Sequence, residues 1–305
     1  MHDRLILGVD VGGTSVKVAR FDLKGAQVDG PHRFDPKATA SAKTILTRFQ
    51  DGLKPFVDWR LCGIGIGFPG PFDYENGICR IRGLGKFDAI YGVNVKDELR
   101  RRLNLPQEFP IVFINDASAY ALGESRGAAS GWRRTVVVTL GTGCGSAFLV
   151  DGKLVTQGPG VPENGWIYHL PFREGSLDDY LSRRGILALW REMGGLPKEV
   201  DVLDLARMAA EGSQQALVLF QTFGEMMGEA LAPLLMGFRA DGLVVGGQIA
   251  KSFSLFGPAL VSTLERLGAR AAVRKGEDLD GSALKGAALA ALEAIEGRST
   301  IREAR

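Results

Sequence analysis

Two short turns rich in glycine and threonine could bind phosphate oxygens. "DVGGT", residues 10–14, and "GTGCGS", residues 141–146, each follow an apolar run and precede a second one. Small residues let an anion approach the backbone closely, and consecutive N–H groups with a nearby hydroxyl can donate hydrogen bonds to it. Asp10 ends its apolar run, where a carboxylate can hold Mg²⁺ or its waters beside a phosphate. Taken alone, either turn could equally be an ordinary hairpin turn.

A third glycine pair favours the phosphate interpretation. "VVGGQIA" places Gly246 and Gly247 after another apolar run, so three such sites occur in one chain. The P-loop pattern G-x-x-x-x-G-K-[ST] is absent, and "GIGIGFPG" leads into Pro69 and Pro71 rather than into a helix. The sequence therefore predicts neither a P-loop nor a dinucleotide-binding fold of the Rossmann type.

Strand-like runs that alternate with amphipathic helical stretches predict an α/β protein. The runs are "RLILGVDV", "VKVARFD", "CGIGIGF", "FPIVFIND", "RTVVVTL", "GSAFLVDG" and "GLVVGG", and the helical stretches include "DDYLSRRGILALWREMG" and "GSALKGAALAALEAIEG". An early hairpin among these strands predicts a mixed sheet. "LILGVDVGGTSVKVARFD" and "VVVTLGTGCGSAFLVDG" share the order strand, Gly/Thr turn, strand, which suggests two related lobes that face one cleft.

Composition is that of an ordinary globular protein. The 305 residues suit two modest lobes, and 45% of them are hydrophobic. A net charge of +2 gives no reason to expect nucleic acid or a membrane as partner. No apolar stretch reaches the roughly 20 residues that cross a bilayer, and the N-terminus lacks a signal-peptide pattern. The three cysteines are too scattered for a disulfide framework, so we expect a cytoplasmic protein.

The motifs, taken in order, resemble those of the ROK family, which is named for repressors, open-reading-frame products and kinases. They are "DVGGTSVK", "GIGIGFPGP", "FINDASAYALGE", "TLGTGCGSAFLVDGKLV", "VVGGQIA" and "GSALKGAALAAL", and they cover nearly the whole chain. The resemblance implies two RNase H-like lobes of the actin-like ATPase superfamily, with mixed sheets flanked by helices and a cleft between them. We expect residues 1–117 and about 283–305 to form the N-terminal small lobe, and residues 118–282 the C-terminal large lobe.

The resemblance also implies where ATP and Mg²⁺ bind. Asp10 would lie near Mg²⁺, and Lys17 is either a phosphate contact or a solvated strand lysine. The remaining nucleotide-binding candidates are the glycines and threonines of the three turns, namely Gly12, Gly13, Thr14, Gly141, Thr142, Gly143, Gly145, Gly246 and Gly247.

"FPIVFINDASAYALGE" supplies the candidate catalytic base. It places Asn115 and Asp116 at the end of a buried strand, where a carboxylate is costly to bury without a task. The alternative is that Asp116 is simply the N-cap of the following helix. By resemblance, Asp116 accepts the proton of the attacking sugar hydroxyl, while Asn115 and Gly70 belong to the sugar site.

The region after the second turn departs from the family pattern. Aligned on "HLP", His169 keeps the family's histidine position, but Trp166 stands where a sugar-binding glutamate is usual, and Glu163 is a possible substitute. Asp178 occupies the place of the terminal glutamate of the family's zinc loop, whose cysteines are missing, so we expect no structural zinc. Glu163, His169 and Asp178 remain substrate-binding candidates. "RGLGKFDAIYGVNV" also departs, and we interpret Lys86 and Phe87 as part of a surface loop, with a contribution to the pocket rim as the alternative.

The resemblance favours an ATP-dependent hexose kinase that acts on O6 of glucose or a related aldohexose, with a homodimer as the expected assembly. A polyphosphate-dependent glucokinase is the alternative among enzymes. A sugar-responsive regulator is the alternative of another class, but the family's repressors carry an N-terminal helix-turn-helix. The strand-like run that leads into the first Gly/Thr turn begins by residue 4, so we expect no helix-turn-helix here.

Overall fold

The computed structural model describes residues 4–197, 199–297 and 301–302. The β-strands are Leu5–Val11 (β1), Val16–Asp22 (β2), Gln27–Phe34 (β3), Leu61–Phe68 (β4), Phe72–Asp73 (β5), Ile78–Cys79 (β6), Ile111–Asn115 (β7), Arg134–Leu140 (β8), Cys144–Val150 (β9), Lys153–Val155 (β10), Pro171–Phe172 (β11), Gly175–Ser176 (β12), Gly242–Gly246 (β13), Ala272–Lys275 (β14) and Ile301–Arg302 (β15). The α-helices are Ala42–Leu53 (α1), Val95–Arg102 (α2), Asp116–Glu124 (α3), Leu177–Tyr180 (α4), Arg183–Glu192 (α5), Val202–Ala210 (α6), Gln214–Phe238 (α7), Phe253–Arg266 (α8) and Ser282–Ile295 (α9).

The described chain divides into two compact units. Residues 4–123 and 281–297 form unit 1, and residues 124–197, 199–280 and 301–302 form unit 2. The lobe limits expected from the sequence, at 117/118 and about 282/283, stay a prediction about domain organisation. None of the helices in the described ranges has the length and apolar character needed to cross a membrane.

Unit 1 is built on a five-stranded mixed sheet with the strand order β3-β2-β1-β4-β7. The hairpins β1–β2 and β2–β3 are antiparallel, whereas β4 runs parallel to both β1 and β7. One hydrophobic cluster packs α1 and α2 against the sheet, and a second cluster packs α9 against β1 and β2. The predicted mixed sheet and the predicted early hairpin are therefore both confirmed.

Helix α9 approaches the sheet closely because glycines face it. A Cβ atom on Gly65 of β4 would collide with the carbonyl oxygen of Ala287, and one on Gly8 of β1 would collide with that of Leu284. The same helix meets α3 through small residues, since a Cβ atom on Gly286 would collide with the carbonyl oxygen of Ala119. These contacts fix the position of α3, whose first residue is Asp116.

Unit 2 has a sheet with the order β14-β13-β8-β9-β10-β15. β8 and β9 form the second antiparallel hairpin that the sequence predicted, and β13 runs parallel to β8. The predicted helical stretch "DDYLSRRGILALWREMG" contains two helices, α4 and α5. Ser182 has an extended backbone at the break, and the N–H of Arg183 donates to the carbonyl oxygen of Gly141 instead of continuing the helix.

Candidate active site

The first of the two Gly/Thr turns, Gly12 to Ser15, connects β1 to β2 in unit 1, and we call it the first phosphate turn after its predicted ligand. The N–H of Gly12 donates to the carbonyl oxygen of Ser15 at 3.0 Å and closes the turn. Within the described residues, the N–H groups of Gly13 and Thr14 make no hydrogen bond, and Thr14 is exposed. The turn therefore presents two backbone donors and a hydroxyl, which is the donor set that a phosphate group requires.

Asp10 and Lys17 lie opposite each other on β1 and β2, one register position before the turn closes. Their side chains form a 3.5 Å ion pair, with exposed fractions of 21% for Asp10 and 14% for Lys17. Lys17 is thus largely shielded from solvent, and its charge partly neutralises that of Asp10. Its role as a phosphate contact stays a prediction.

Asp116 is the first residue of α3 and directly follows β7. Asp116 is exposed, contrary to the expectation of a buried carboxylate, yet many protein atoms lie close to its carboxylate. Desolvation by this surrounding protein raises the pKa of Asp116, and the negative charge of Asp10 acts in the same direction. The N–H of Ala117 and the positive charge of Lys86 oppose the rise. The result is a solvent-accessible carboxylate whose proton affinity exceeds that of an ordinary aspartate.

Asn115, rather than Asp116, caps helix α3. Its Oδ1 atom accepts hydrogen bonds from the N–H groups of Ala117 at 3.0 Å and Ser118 at 3.2 Å. Its Nδ2 atom donates to the hydroxyl of Tyr74 at 3.2 Å, and that hydroxyl donates to the carbonyl oxygen of Phe68. The alternative of Asp116 as a mere N-cap is therefore disfavoured, although its Oδ1 also accepts from the N–H of Ala117.

Gly70 lies beside the same hydroxyl group. A Cβ atom at this position would lie 3.2 Å from the hydroxyl oxygen of Tyr74. Unit 1 thus brings together Gly70, Asn115, Asp116, Asp10 and the first phosphate turn, through β1, β4 and β7.

The second phosphate turn joins β8 to β9 in unit 2. Gly141 donates to the carbonyl oxygen of Gly143 at 3.0 Å, and Thr142 at the tip is exposed. Asp178 of α4 stabilises the turn, because its Oδ1 accepts a hydrogen bond from the N–H of Cys144 at 2.6 Å. Its Oδ2 forms a 2.7 Å ion pair with Arg184. The structure therefore gives this predicted sugar ligand two partners within the protein.

The other predicted sugar-binding residues of unit 2 lie on one loop. Glu163 and His169 are exposed on the loop before β11, and Trp166 between them is half-buried. Ser146 of β9 anchors this loop by donating to the carbonyl oxygen of Gly165 at 2.7 Å and accepting from the N–H of Ile167 at 3.0 Å. Whether Glu163 or Trp166 fills the usual glutamate position stays open.

Gly246 is the last residue of β13, and Gly247 follows it. Gly247 has a φ of +82°, and a Cβ atom there would collide with the carbonyl oxygen of Leu140 at the end of β8. Glycine is therefore required at this position by the packing of two strands. The contact of Gly247 with a nucleotide would be a second reason for glycine at this position, and it stays a prediction.

Comparison with known proteins decides the family. The model of the ROK family matches residues 6–294. The chain belongs to the ROK family. A glucokinase of Thermotoga maritima is 29% identical over 278 residues, which cover 83% of this chain and 85% of the relative.

Two solved structures show the same fold. The ROK hexokinase of Thermus thermophilus superposes with a TM-score of 0.78 at 23% identity, over 96% of this chain and 99% of that one. A ROK-family glucokinase of Streptomyces griseus, solved with glucose and AMPPNP, has a TM-score of 0.74 at 23% identity, over 93% of this chain and 98% of that one. The predicted fold class, with mixed sheets and flanking helices of the actin-like ATPase type, is confirmed.

A short hairpin follows His169 in unit 2. Strands β11 and β12 pair in it, and its turn residue Arg173 forms a 2.9 Å ion pair with Glu229. The Arg173 guanidinium also lies 5.2 Å from the ring centre of Phe172 and 5.9 Å from that of Tyr180. An ion pair and two aromatic contacts therefore hold this ROK hairpin. In the described ranges, no group of three His, Cys, Asp or Glu side chains is arranged to bind a metal.

One residue of unit 1 was not predicted from the sequence, and the assignment of another was wrong. Tyr74 was not singled out, although it lies in the turn "FDYENG" just after "GIGIGFPG". Lys86 and Phe87 were assigned to a surface loop, and for Phe87 this is wrong, because its side chain is fully buried. Lys86 lies against Gly13 of the first phosphate turn. The only signal in the sequence was that "RGLGKFD" departs from the family pattern.

Proposed function

We propose that this ROK-family sugar kinase transfers the γ-phosphate of ATP to a hydroxyl group of a hexose, O6 of glucose or of a related aldohexose. The observation that carries the proposal is Asp116, an accessible carboxylate with a raised pKa, held in the same unit as the first phosphate turn. The glucokinase from Thermotoga maritima and the glucose–AMPPNP complex of the Streptomyces griseus enzyme support the choice of sugar and donor.

Asp116 acts as the general base. Its carboxylate accepts the hydroxyl proton as the sugar oxygen forms a bond to the γ-phosphorus, and the bond from that phosphorus to the bridging oxygen breaks. ADP leaves with the electron pair of the broken bond. A raised pKa suits this role, because a base works best when its pKa approaches the working pH.

The residues present fit a magnesium ion. Mg²⁺ is usually held by one or two carboxylates together with phosphate oxygens and waters, so a protein cluster of three ligands is not required. Asp10 supplies a carboxylate near the end of β1, beside the first phosphate turn, and its negative charge helps to raise the pKa of Asp116. Bound there, Mg²⁺ would neutralise charge on the donor phosphates. The exposed Thr14 hydroxyl and the N–H groups of the turn would bind phosphate oxygens beside it.

The two ends of the sugar are recognised differently in this proposal. Asn115 and Gly70, next to the base, contact the hydroxyls near the reacting oxygen. Glu163, His169 or Trp166 contact the anomeric end. A tryptophan cannot accept a hydrogen bond, although its ring can stack on a sugar face. An enzyme that relies on Trp166 should therefore tolerate a missing hydroxyl at C1 or C2 better than one that relies on Glu163.

A coupled assay of about a dozen sugars, each with ATP and with polyphosphate, tests the proposal. We expect turnover of glucose or a related aldohexose with ATP, and loss of turnover in excess EDTA. Turnover with polyphosphate alone would establish the alternative donor. Sugar binding with no phosphoryl transfer from either donor would contradict the kinase and leave a non-catalytic regulator. 1-Deoxy and 2-deoxy sugars in the same panel distinguish Glu163 from Trp166.

Tyr74→Phe should raise the KM for sugar about three- to tenfold and leave the KM for ATP unchanged. The variant loses the two hydrogen bonds that hold Asn115 and Phe68, each of which contributes about 1 kcal/mol. Tyr91→Phe is the matched control, because Tyr91 is half-exposed on a loop of the same unit. An unchanged KM for sugar in Tyr74→Phe would show that the hydroxyl does not position Asn115.

Asp178→Ala should raise the KM for ATP about tenfold with little effect on the KM for sugar. The change leaves the N–H of Cys144 without its acceptor and loosens the second phosphate turn, a loss of about 1–3 kcal/mol. Asp178→Asn retains an acceptor and should recover most of the ATP affinity. A rise confined to the KM for sugar would instead support the original prediction that Asp178 is a sugar ligand.

A further inference from the structure

The loop that follows β6 is built to hold one lysine in place. Residues 83–88 form a tight turn in which the carboxylate of Asp88 accepts hydrogen bonds from the N–H groups of Gly83 and Leu84. Gly83 and Gly85 have φ angles of +74° and +69°, a conformation that side chains with a Cβ atom disfavour. The glycine spacing in "RGLGKFD" therefore serves the shape of this loop.

Phe87 anchors the loop to the core of unit 1. Its side chain is fully buried, with ring centres 5.2 Å from Phe68 and 6.4 Å from Phe49. Its N–H donates to the carbonyl oxygen of Ala38 at 2.7 Å, and its own φ is +61°. Since Lys86 directly precedes this anchor, its backbone position is closely constrained.

Lys86 lies over the first phosphate turn. A Cβ atom on Gly13 would lie 3.1 Å from Cδ of Lys86 and 3.9 Å from its Cβ, so the aliphatic stem covers this glycine. In the ranges that the structure describes, no carboxylate lies within ion-pair distance of the Lys86 amine. Its positive charge also opposes the rise in the pKa of Asp116. A half-buried cation at this point is available to an anionic ligand.

We infer that Lys86 contacts the oxygen atoms of the donor's terminal phosphoryl group and stabilises their charge during transfer, an inference that rests on the proposed kinase function. The transferred group carries negative charge on three oxygens while the sugar oxygen–phosphorus bond forms and the bond to the leaving phosphate breaks. A fixed cation beside the turn stabilises this charge without reorganisation. Lys86 neither gains nor loses a proton in the step.

The test compares Lys86→Met, which keeps the length of the stem without its charge, with Lys86→Arg, which keeps a charge. Lys43→Met is the matched control, since Lys43 is exposed on α1 of the same unit. Titration calorimetry with Mg²⁺ measures the Kd for AMPPNP, ADP, AMP and tripolyphosphate. We expect Lys86→Met to weaken AMPPNP binding about tenfold, to weaken ADP binding less and to leave AMP binding unchanged. kcat should fall about ten- to hundredfold, and Lys86→Arg should recover most of both losses.

The outcomes separate this inference from the proposed function. Unchanged kcat in a folded Lys86→Met variant, together with unchanged binding of both AMPPNP and tripolyphosphate, would overturn the inference and leave the kinase intact. An equal loss of AMP binding would also overturn it, because it would show a packing role. If the wild type phosphorylates no sugar, the proposed function fails, while the contrast between AMPPNP and AMP still tests the contact. A loss seen with tripolyphosphate but not with AMPPNP would support the contact and assign it to a polyphosphate donor.

Discussion

Replacing Asp116 with asparagine should lower kcat by about a hundredfold or more, while the protein should keep its fold and its affinity for sugar. Asparagine matches the shape of aspartate and still offers Oδ1 to the N–H of Ala117, so the start of α3 is preserved. It cannot accept a proton from the sugar hydroxyl. Steady-state kinetics and sugar binding, measured on the same preparation, distinguish a loss of proton transfer from a loss of sugar affinity.

The pKa of Asp116 makes this variant informative about stability as well. The folded-state pKa is raised, so the ionised carboxylate is less favourable in the folded than in the unfolded protein. Its contribution to the free energy of unfolding therefore falls as the pH rises through the unfolded-state pKa. A neutral asparagine removes this cost, so Asp116→Asn should unfold at the same temperature as the wild type or higher at neutral pH.

Asp51→Asn is the matched control for the loss of a charge. Asp51 is exposed on α1 of the same unit, and its substitution should leave kcat unchanged. A near wild-type kcat in Asp116→Asn would show that another group takes the proton. A fall in kcat accompanied by a lower melting temperature would indicate structural damage at α3 instead.

The elements and turns could be predicted because their signals are local. Apolar runs ending in Gly/Thr turns indicated both hairpins, and the order of motifs indicated the family, the fold class and Asp116 as the candidate base. The geometry around Asn115 could not be predicted in this way. Tyr74 meets Asn115 from 41 positions away in the chain, and no periodicity of either segment encodes that hydrogen bond.

The second phosphate turn shows the same limit. The sequence marked Gly141, Thr142 and Gly143 as phosphate contacts and Asp178 as a sugar ligand, with no connection between them. In the structure the carboxylate of Asp178 binds the N–H of Cys144, 34 positions earlier, and so supports the turn itself. A carboxylate in a loop has several possible partners, and only the three-dimensional arrangement selects among them.

The glycines of "CGIGIGF" were assigned to neither a nucleotide motif nor a packing role. Their spacing of two places Gly63, Gly65 and Gly67 on one face of β4, because successive residues of a strand point to opposite faces. That face receives α9, and a Cβ atom on Gly63 would lie 2.7 Å from Ile295 of the same helix. The alternating glycines therefore allow a helix to pack closely on β4. The sequence alone did not predict this, because it does not show which helix packs on that face.

Replacing Gly65 with alanine should destabilise the protein by about 3 kcal/mol. The added Cβ atom would collide with the carbonyl oxygen of Ala287, and a backbone atom in the middle of α9 cannot move without shifting the whole helix. Urea unfolding measures the change as a lower midpoint at an unchanged m-value. α9 also packs on α3, so the surviving folded fraction should show reduced kcat through a displaced Asp116.

Gly237→Ala is the control for this substitution. Gly237 lies near the end of α7, where the nearest atom to an added Cβ would be 3.9 Å away. Alanine is the better helix former by about 1 kcal/mol, so this variant should be as stable as the wild type or more stable. If Gly65→Ala unfolds at the wild-type urea concentration, α9 does not pack against β4 as closely as these contacts require. The explanation of the alternating glycines would then be wrong.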